Sequence, residues 1–358
     1  MRMELAGYSI GELIYESDRS LIYRVREEGT GERRILKTPG RQLAPDRARQ
    51  LYRSEFQIGR SLDSPAHVRY FDYGEAGGLP YLLIEDFEAV SMSQLLPERG
   101  FDLDTFLGYA IQMTQALAQL HQKKIIHKDL CPSNVAIHPK RGVLKLIDFG
   151  SASPFVKEVG DQHSPFHHAT LAYISPEQTG RMNRLVTYQT DFYSLGVTFF
   201  QMLTGRLPFT ATESSELIYH HIAAPVPQAK QVNPSIPAQL SELVAQLMRK
   251  NPEERYRSTL GLLSDLERCQ QEWQQAGAIS LFPLGEQDVA EVFTIPEKLY
   301  GRRSELQRVK RYFRRAVQGD FAVCYITGRS GIGKSAFVNE LYKDIAREKG
   351  HFGSGKFD

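Results

Sequence analysis

Cysteine is scarce in this chain of 358 residues, with only Cys131, Cys269 and Cys324 present. That spacing matches no zinc-binding pattern, and an odd, sparse set builds no disulfide framework, so reduced thiols in a cytoplasmic chain are expected. No apolar run approaches the ~20 residues of a membrane span. The start, Met1-Arg2-Met3-Glu4, carries an early acidic charge with no long apolar stretch behind it, unlike a secretory signal. Excess charge of one sign is also missing. The 44 Lys and Arg face 42 Asp and Glu, a net of +2, too little to make the whole chain a nucleic-acid or membrane-surface binder. Glycine and proline, at 28 and 18, are too few for collagen-like or low-complexity sequence. With 41% hydrophobic and 24% charged residues, the composition is that of a folded protein, and the length suits two ordinary domains.

The pattern changes along the chain. Leu21-Ile22-Tyr23-Arg24-Val25 and Arg34-Ile35-Leu36-Lys37 are β-rich and flank a Gly29-Thr30-Gly31 turn. Residues 46–62 have helical spacing, and Tyr81-Leu82-Leu83-Ile84-Glu85 reads as a buried strand. From about residue 103 helical periodicity dominates, over 103–122, 191–203 and 238–249. A strand-rich lobe followed by a helix-rich one predicts an α+β arrangement with a cleft between. Residues 269–297 read as a linker. Beyond it, Ser304-Glu305-Leu306-Gln307 fits a capping box at the head of a helix, and Phe321–Ile326 reads as a strand.

The strongest local signal is His127-Lys128-Asp129-Leu130-Cys131-Pro132-Ser133-Asn134, followed by Asp148-Phe149-Gly150. Each residue type has work to do in moving a γ-phosphoryl group. Asp129 can orient an acceptor hydroxyl and take its proton, while Asn134 and Asp148 are hard oxygen donors for Mg²⁺ bridging the phosphates. A cation for the phosphates is expected from the strand-rich lobe, where Lys37 ends a strand. Glu55 on the following helix can hold it. Each alone is an ordinary surface residue; it is the series with Asp129, Asn134 and Asp148 that makes them a constellation.

These residues, with Ser175-Pro176-Glu177, Asp191-Phe192-Tyr193-Ser194-Leu195-Gly196 and Asn251-Pro252-Glu253-Glu254-Arg255, resemble the protein kinases, in the eukaryotic-like Ser/Thr form found in bacteria. The resemblance covers about residues 8–268. It implies a two-lobed kinase fold over 1–268, with an N-lobe at about 8–87 and a C-lobe at about 88–268, using ATP and Mg²⁺ on protein Ser or Thr hydroxyls. Asp129 and Lys37 would be the catalytic residues. Ile22 and Ile35 would cover the adenine, Ile84 would stand behind it, and Glu85 and Phe87 would offer backbone groups to its edge. Glu177 and Arg255 would form a buried bridge, Asp191 would anchor the catalytic loop, and Thr170 matches the position that favours Ser/Thr acceptors.

The chain departs from that pattern in three places. Tyr15, Ser17 and Ser20 stand where the phosphate-covering loop should carry glycines, which hinders close backbone approach. Cys131 replaces a lysine, and a redox-sensitive thiol there is the less favoured reading. Lys128 replaces an arginine, and an ammonium cannot grip a phosphorylated loop bidentately, so weaker dependence on activation-loop phosphorylation is expected. Ser151, Ser153 and Ser164 stay in view as modification sites. A nucleotide-binding scaffold without transfer is therefore kept as a second reading. The histidines of the same stretch, His163, His167 and His168, read as solvated, and His220-His221 as helix-surface residues.

A second motif follows. Gly328-Arg329-Ser330-Gly331-Ile332-Gly333-Lys334-Ser335 has the G-x-x-x-x-G-K-[ST] spacing of a phosphate loop, with Gly328, Gly333, Lys334 and Ser335 as phosphate and Mg²⁺ contacts. With Tyr300-Gly301-Arg302-Arg303 upstream, it resembles the entrance of an AAA/STAND-type ATPase. Residues 298–358 are thus expected to be the beginning of an α/β P-loop NTPase domain, incomplete and without ATP hydrolysis of its own. Lys298–Gln318 is strongly basic, yet its amphipathic periodicity fits a solvated helix face better than a nucleic-acid patch. A kinase joined to such an entrance resembles bacterial multidomain signalling kinases, which implies further C-terminal signalling domains.

Overall fold

The computed structural model describes residues 5–155, 171–182, 184–289, 301–329, 332–339, 341 and 345. The first lobe contains β1 (Tyr8–Glu16), β2 (Ser20–Glu27), β3 (Arg33–Pro39), helix α1 (Pro45–Ser61), β4 (Tyr70–Ala76) and β5 (Leu79–Glu85). Its strands make one antiparallel sheet in the order β1-β2-β3-β5-β4. Successive strand residues face opposite sides. Val25, Leu36 and Leu83 pack on the outer face beneath Tyr8, Tyr23, Phe71 and Tyr81. Lys37, Leu82 and Ile84 take the face toward α1 and the main core. Helix α1 begins with Pro45, whose fixed φ and missing N–H suit a first turn. Its buried residues Ala48, Tyr52, Glu55 and Gly59 recur every three or four positions, so the face laid on the sheet carries a carboxylate and a gap.

The second lobe runs through β6 (Val90–Ser91), α2 (Met92–Leu95), α3 (Leu103–Gln122), β7 (Ile125–Ile126), β8 (Val135–Ile137), β9 (Leu144–Leu146) and β10 (Ser153–Pro154). It continues with α4 (Gln189–Thr204), α5 (Ser214–Ala223), α6 (Ala229–Val232), α7 (Ala238–Leu247) and α8 (Thr259–Ala276). Asp102 caps α3, its Oδ1 accepting the Thr105 N–H at 2.9 Å. Helix α4 is buried along nearly its whole length and forms the centre of the lobe. Against it, Glu177 and Arg255 meet with both side chains at 0% exposure, through bonds of 2.6 and 2.9 Å. Arg255 also donates to the carbonyls of Arg249 and Gln189.

Several expectations change here. The presumed linker starts inside α8, where Cys269 is fully buried, and residues beyond the helix still belong to the lobe. Gln239 exchanges hydrogen bonds with the backbone of Phe282, and Asp288 accepts the Arg257 and Ser258 N–H groups at 2.8 Å. Residues 290–300 lie outside the described residues. His221 is not on the surface: it is buried, with Nδ1 2.9 Å from the Tyr193 hydroxyl. Ser153 is buried in β10 and paired with Ile126, which removes it as a modification site. Thr170, Ser164, His163, His167 and His168 lie outside the described residues.

Towards the C-terminus are α9 (Arg303–Val317) and α10 (Lys334–Asn339). The expected capping box does not form, because the helix starts at Arg303 with Arg302 as its cap residue, two positions ahead of Ser304, and Ser304 bonds Glu305 instead. Phe321–Ile326 is not a strand. A strand needs a ladder partner, none of the described strands lies beside this segment, and Phe321 and Tyr325 are 91% and 88% exposed.

The Glu177–Arg255 pair generates a stability prediction. Burial alone would raise the Glu177 carboxyl, but the Arg255 charge and the hydrogen bonds to the carboxylate together outweigh it and hold the group below its ordinary 4.5. Its stabilisation is therefore complete above that value and fades as pH falls through the lowered one. Arg255→Ala strands a buried carboxylate and is expected to cost about 3–5 kcal/mol in urea denaturation at neutral pH. A loss below ~1 kcal/mol would show that the lobe does not depend on the pair.

Candidate active site

Lys37 sits at the end of β3 on the face toward α1, and Glu55 comes up from the helix beneath it. Both are buried, at 5% and 2% exposure. The Lys37 ammonium donates to both Glu55 oxygens at 2.9 Å and to Asp148 Oδ1 at 2.9 Å, so one cation joins the two lobes. Burial works against its charge, but Asp148 and Glu55 reverse the effect and hold Lys37 above its ordinary pKa. Burial likewise opposes ionisation of Asp148, and Lys37 overcomes it to keep that carboxyl low.

The loop between β7 and β8 is shaped from below. Asp191, in the first turn of α4, accepts the backbone N–H groups of His127 and Lys128 at 3.0 and 2.8 Å and contacts His121 Nε2 at 2.9 Å. Those bonds hold Lys128 at φ +66°, a left-handed conformation unfavourable for its side chain. Asp129 follows at once. Its Oδ1 is buried and has no hydrogen-bond partner among the described residues. Burial pushes the Asp129 carboxyl up to about 7, and the Asp148 charge adds to this. Asn134 donates its amide N–H to the Asp129 carbonyl at 2.8 Å, which leaves its amide oxygen for another ligand. The Asn134 carbonyl accepts the Ile147 N–H at 3.0 Å, one residue before Asp148, so the two loops are stitched side by side. Asp148 itself has φ +63°, and its side chain is 39% exposed to the cleft.

Lys37, Glu55, Asp129, Asn134 and Asp148 thus converge. Ile22 pairs with Lys37, and Ile35 pairs with Ile84, so all three isoleucines share the face of Lys37. The Glu85 N–H donates to the Arg69 carbonyl at 2.9 Å, and Lys145 binds the Glu85 carboxylate while lying 5.0 Å over the Phe87 ring. Asn134 and Asp148 supply an amide oxygen and a carboxylate on facing loops, a hard donor set suited to Mg²⁺. Cys131 is buried, and burial raises its thiol well above the ordinary value, which disfavours the reactive thiolate.

Two groups escape the sequence motifs. Arg19, in the turn between β1 and β2, is half-buried, and its charge acts on Asp129 and Asp148. Its place between Ser17 and Ser20 was readable, but a glycine count does not look for a cation. Tyr70, on β4, donates its hydroxyl to Glu55 Oε1 at 2.9 Å, and no spacing rule links those two positions.

Residues 8–265 match the protein kinase domain family, and residues 298–358 match the AAA ATPase domain family. The chain belongs to the protein kinase family. The hybrid signal transduction histidine kinase G of Dictyostelium discoideum is 30% identical over 345 residues, covering 72% of this chain and 10% of that protein. Serine/threonine-protein kinase PrkC of Bacillus subtilis is 30% identical over 217 residues, 60% of this chain and 33% of that protein. Serine/threonine-protein kinase PknL of Mycobacterium tuberculosis is 32% identical over 222 residues, 62% of this chain and 55% of that protein. The chain therefore spans between a tenth and just over half the length of these relatives. Among the described residues, no helix of the kinase domain or its continuation is long and apolar enough to cross a membrane.

In the second matched region, Lys334 donates to the Gly328 and Arg329 carbonyls at 2.8 and 3.0 Å, which closes the loop on itself. Gly333 has φ +92° ahead of α10, and Ser335 lies in that helix. Ser330 and Gly331 lie outside the described residues.

In the kinase domain, Glu55→Gln keeps the size of the side chain and removes the charge that holds Lys37. A hydrogen bond to a charged group is worth ~1.5–3 kcal/mol, so kcat/KM for ATP is expected to fall roughly 10- to 100-fold with an unchanged circular dichroism spectrum. An unaltered kcat/KM would show that Asp148 alone suffices to place the ammonium.

Proposed function

We propose that this kinase domain transfers the γ-phosphoryl group of ATP to Ser or Thr hydroxyls of proteins, with Mg²⁺ as the metal. The observation that carries the reading is the contact of Lys37 with Glu55 and Asp148, beside the unpartnered oxygen of Asp129. Lys37, oriented by Glu55, would hold the inner phosphates. Asn134 and Asp148 would hold Mg²⁺, which when bound neutralises the charge on the phosphate oxygens. Asp129 would accept the proton of the acceptor hydroxyl as its oxygen bonds the γ-phosphorus and the bond to ADP breaks. The relatives PrkC and PknL, by their names serine/threonine-protein kinases, support the same acceptor class. The reading carries with it a cytoplasmic setting, where ATP and Mg²⁺ are abundant, and a place beside further signalling domains.

Cys131 favours a second reading, a nucleotide-binding scaffold, because it leaves the catalytic loop one cation short of the family pattern. Labelled-phosphate transfer separates the two. The chain is expected to label a protein acceptor with Mg·ATP, and Asp129→Asn to abolish the label. Equal label with both would exclude Asp129 from the chemistry, and none with either would favour the scaffold. Lys334→Ala is expected to leave both transfer and total ATP turnover unchanged, because the segment 298–358 is assigned no hydrolysis. Turnover that survives Asp129→Asn but is lost in Lys334→Ala would overturn that assignment.

A further inference from the structure

Lys128, strained at φ +66°, stands directly before Asp129, the proton acceptor of the proposed reaction. Strain of that kind lasts only where tertiary bonds overrule it. Asp191 supplies one such bond by taking the Lys128 N–H. The carbonyl of the same residue is held from a different place. It accepts the side-chain amide of Gln178 at 2.8 Å. Gln178 lies in the turn Pro176–Thr179, in the segment after the activation stretch, and is buried.

The amide of Gln178 can face only one way. Its Oε1 accepts the Ser175 N–H at 3.1 Å and the Ser175 hydroxyl at 3.0 Å. A backbone N–H can only donate and a carbonyl can only accept, so the oxygen belongs to Ser175 and the nitrogen to Lys128. A carboxylate in its place would set charge against the Lys128 carbonyl. The turn is itself anchored, because the neighbouring Glu177 binds Arg255 and accepts the Thr190 hydroxyl at 2.9 Å.

The peptide joining Lys128 to Asp129 is one rigid plane, with the Lys128 carbonyl at one edge and the Asp129 N–H at the other. That N–H donates to His127 Nδ1 at 3.3 Å, a long bond with a weak hold. The shorter Gln178 bond fixes the plane from its opposite edge. Asp129 and Gln178 also line one small cavity, together with Tyr173 and Ile174.

We infer that Gln178 is a positioning residue of the phosphoryl-transfer site: from the segment after the activation stretch it sets the plane of the 128–129 peptide, and so aims the Asp129 carboxylate. This inference rests on the kinase reading and deepens it. Lys37 and Asp148 take their places from each other and from Glu55, so the Gln178 bond bears on turnover rather than on nucleotide affinity.

The test uses the full chain, with Mg·ATP and myelin basic protein as acceptor. Gln178→Met keeps the length of the side chain and removes donor and acceptor. Gln178→Glu keeps the oxygen that serves Ser175 and removes the donor to Lys128. Gln239→Met is the control, a second buried glutamine bonded both ways to backbone, at Phe282 instead of the catalytic loop. At mildly alkaline pH both Gln178 variants are expected to lose kcat roughly tenfold, with a Kd for Mg·ATP within about twofold of wild type, while the control keeps both. As pH falls, the introduced carboxyl takes up a proton and can donate again. Gln178→Glu then gains on the wild type measured at the same pH, a comparison that cancels the titration of Asp129, and Gln178→Met does not. Wild-type kcat in folded Gln178→Met, an equal loss in the control, or a loss of affinity as large as the loss of kcat would overturn the inference, while transfer by the wild type leaves the kinase reading standing. Should Gln178→Met fail to fold, Gln178→Glu decides, and no gain as pH falls counts against the inference. A wild type that labels neither the acceptor nor itself sinks the kinase reading and this inference with it.

Discussion

A single buried ammonium holds this cleft in order. Lys37 is shared by a carboxylate from the first lobe and one from the second, so its position defines how strand β3, helix α1 and the turn at Asp148 stand to one another. Burying charge is costly unless every member is paired and bonded. Lys37 answers for Glu55 and Asp148 together, and Asp129 lies within reach of the same field. Burial, with the Asp148 charge beside it, pushes Asp129 up, while Asp148, in direct contact with the ammonium, is held low. The facing Asn134 and Asp148 oxygens would suit a divalent cation, whose charge would offset what Lys37 leaves over.

The second lobe makes that balance reproducible. Asp191 issues from a helix buried on all sides and spends its oxygens on the backbone of His127 and Lys128 rather than on chemistry. The strained φ at Lys128 is thereby fixed by tertiary bonds, and Asp129 inherits its direction from them. Glu177 and Arg255 act one layer further down, tying the segment after the activation stretch to the far end of the lobe.

How much of this was legible beforehand depends on where the interacting residues lie. The catalytic loop, the Asp148 turn and the Glu177–Arg255 pair belong to short motifs with fixed internal spacing, so the two-lobed fold and the converging side chains followed from reading along the chain. Tyr70 and Gly59 did not. One reads as an ordinary strand aromatic and the other as a flaw in a helix, and only packing shows that each explains the other. His221 was misplaced for a similar reason: a histidine pair in a short helix reads as solvated until Tyr193 supplies a buried acceptor or donor. At 321–326 the β-propensity was real, but propensity makes no strand without a neighbouring ladder.

The glycine-poor turn shows the same displacement of a requirement from one place to another. Ser17 and Ser20 close the turn with their own bonds, the Ser17 hydroxyl accepting the Ser20 N–H at 3.1 Å. The glycine stands instead at residue 40, where an added Cβ would lie 2.5 Å from the carbonyl oxygens of both Ser17 and Asp18, and its N–H holds the Arg19 carbonyl at 2.8 Å. The turn is thus docked just past the end of β3, at Gly40, three residues beyond Lys37. A docked turn with side chains cannot wrap phosphate through bare backbone amides as a glycine loop does. It can present a cation at a fixed point, and Arg19 is that cation, its charge felt by Asp129 and Asp148.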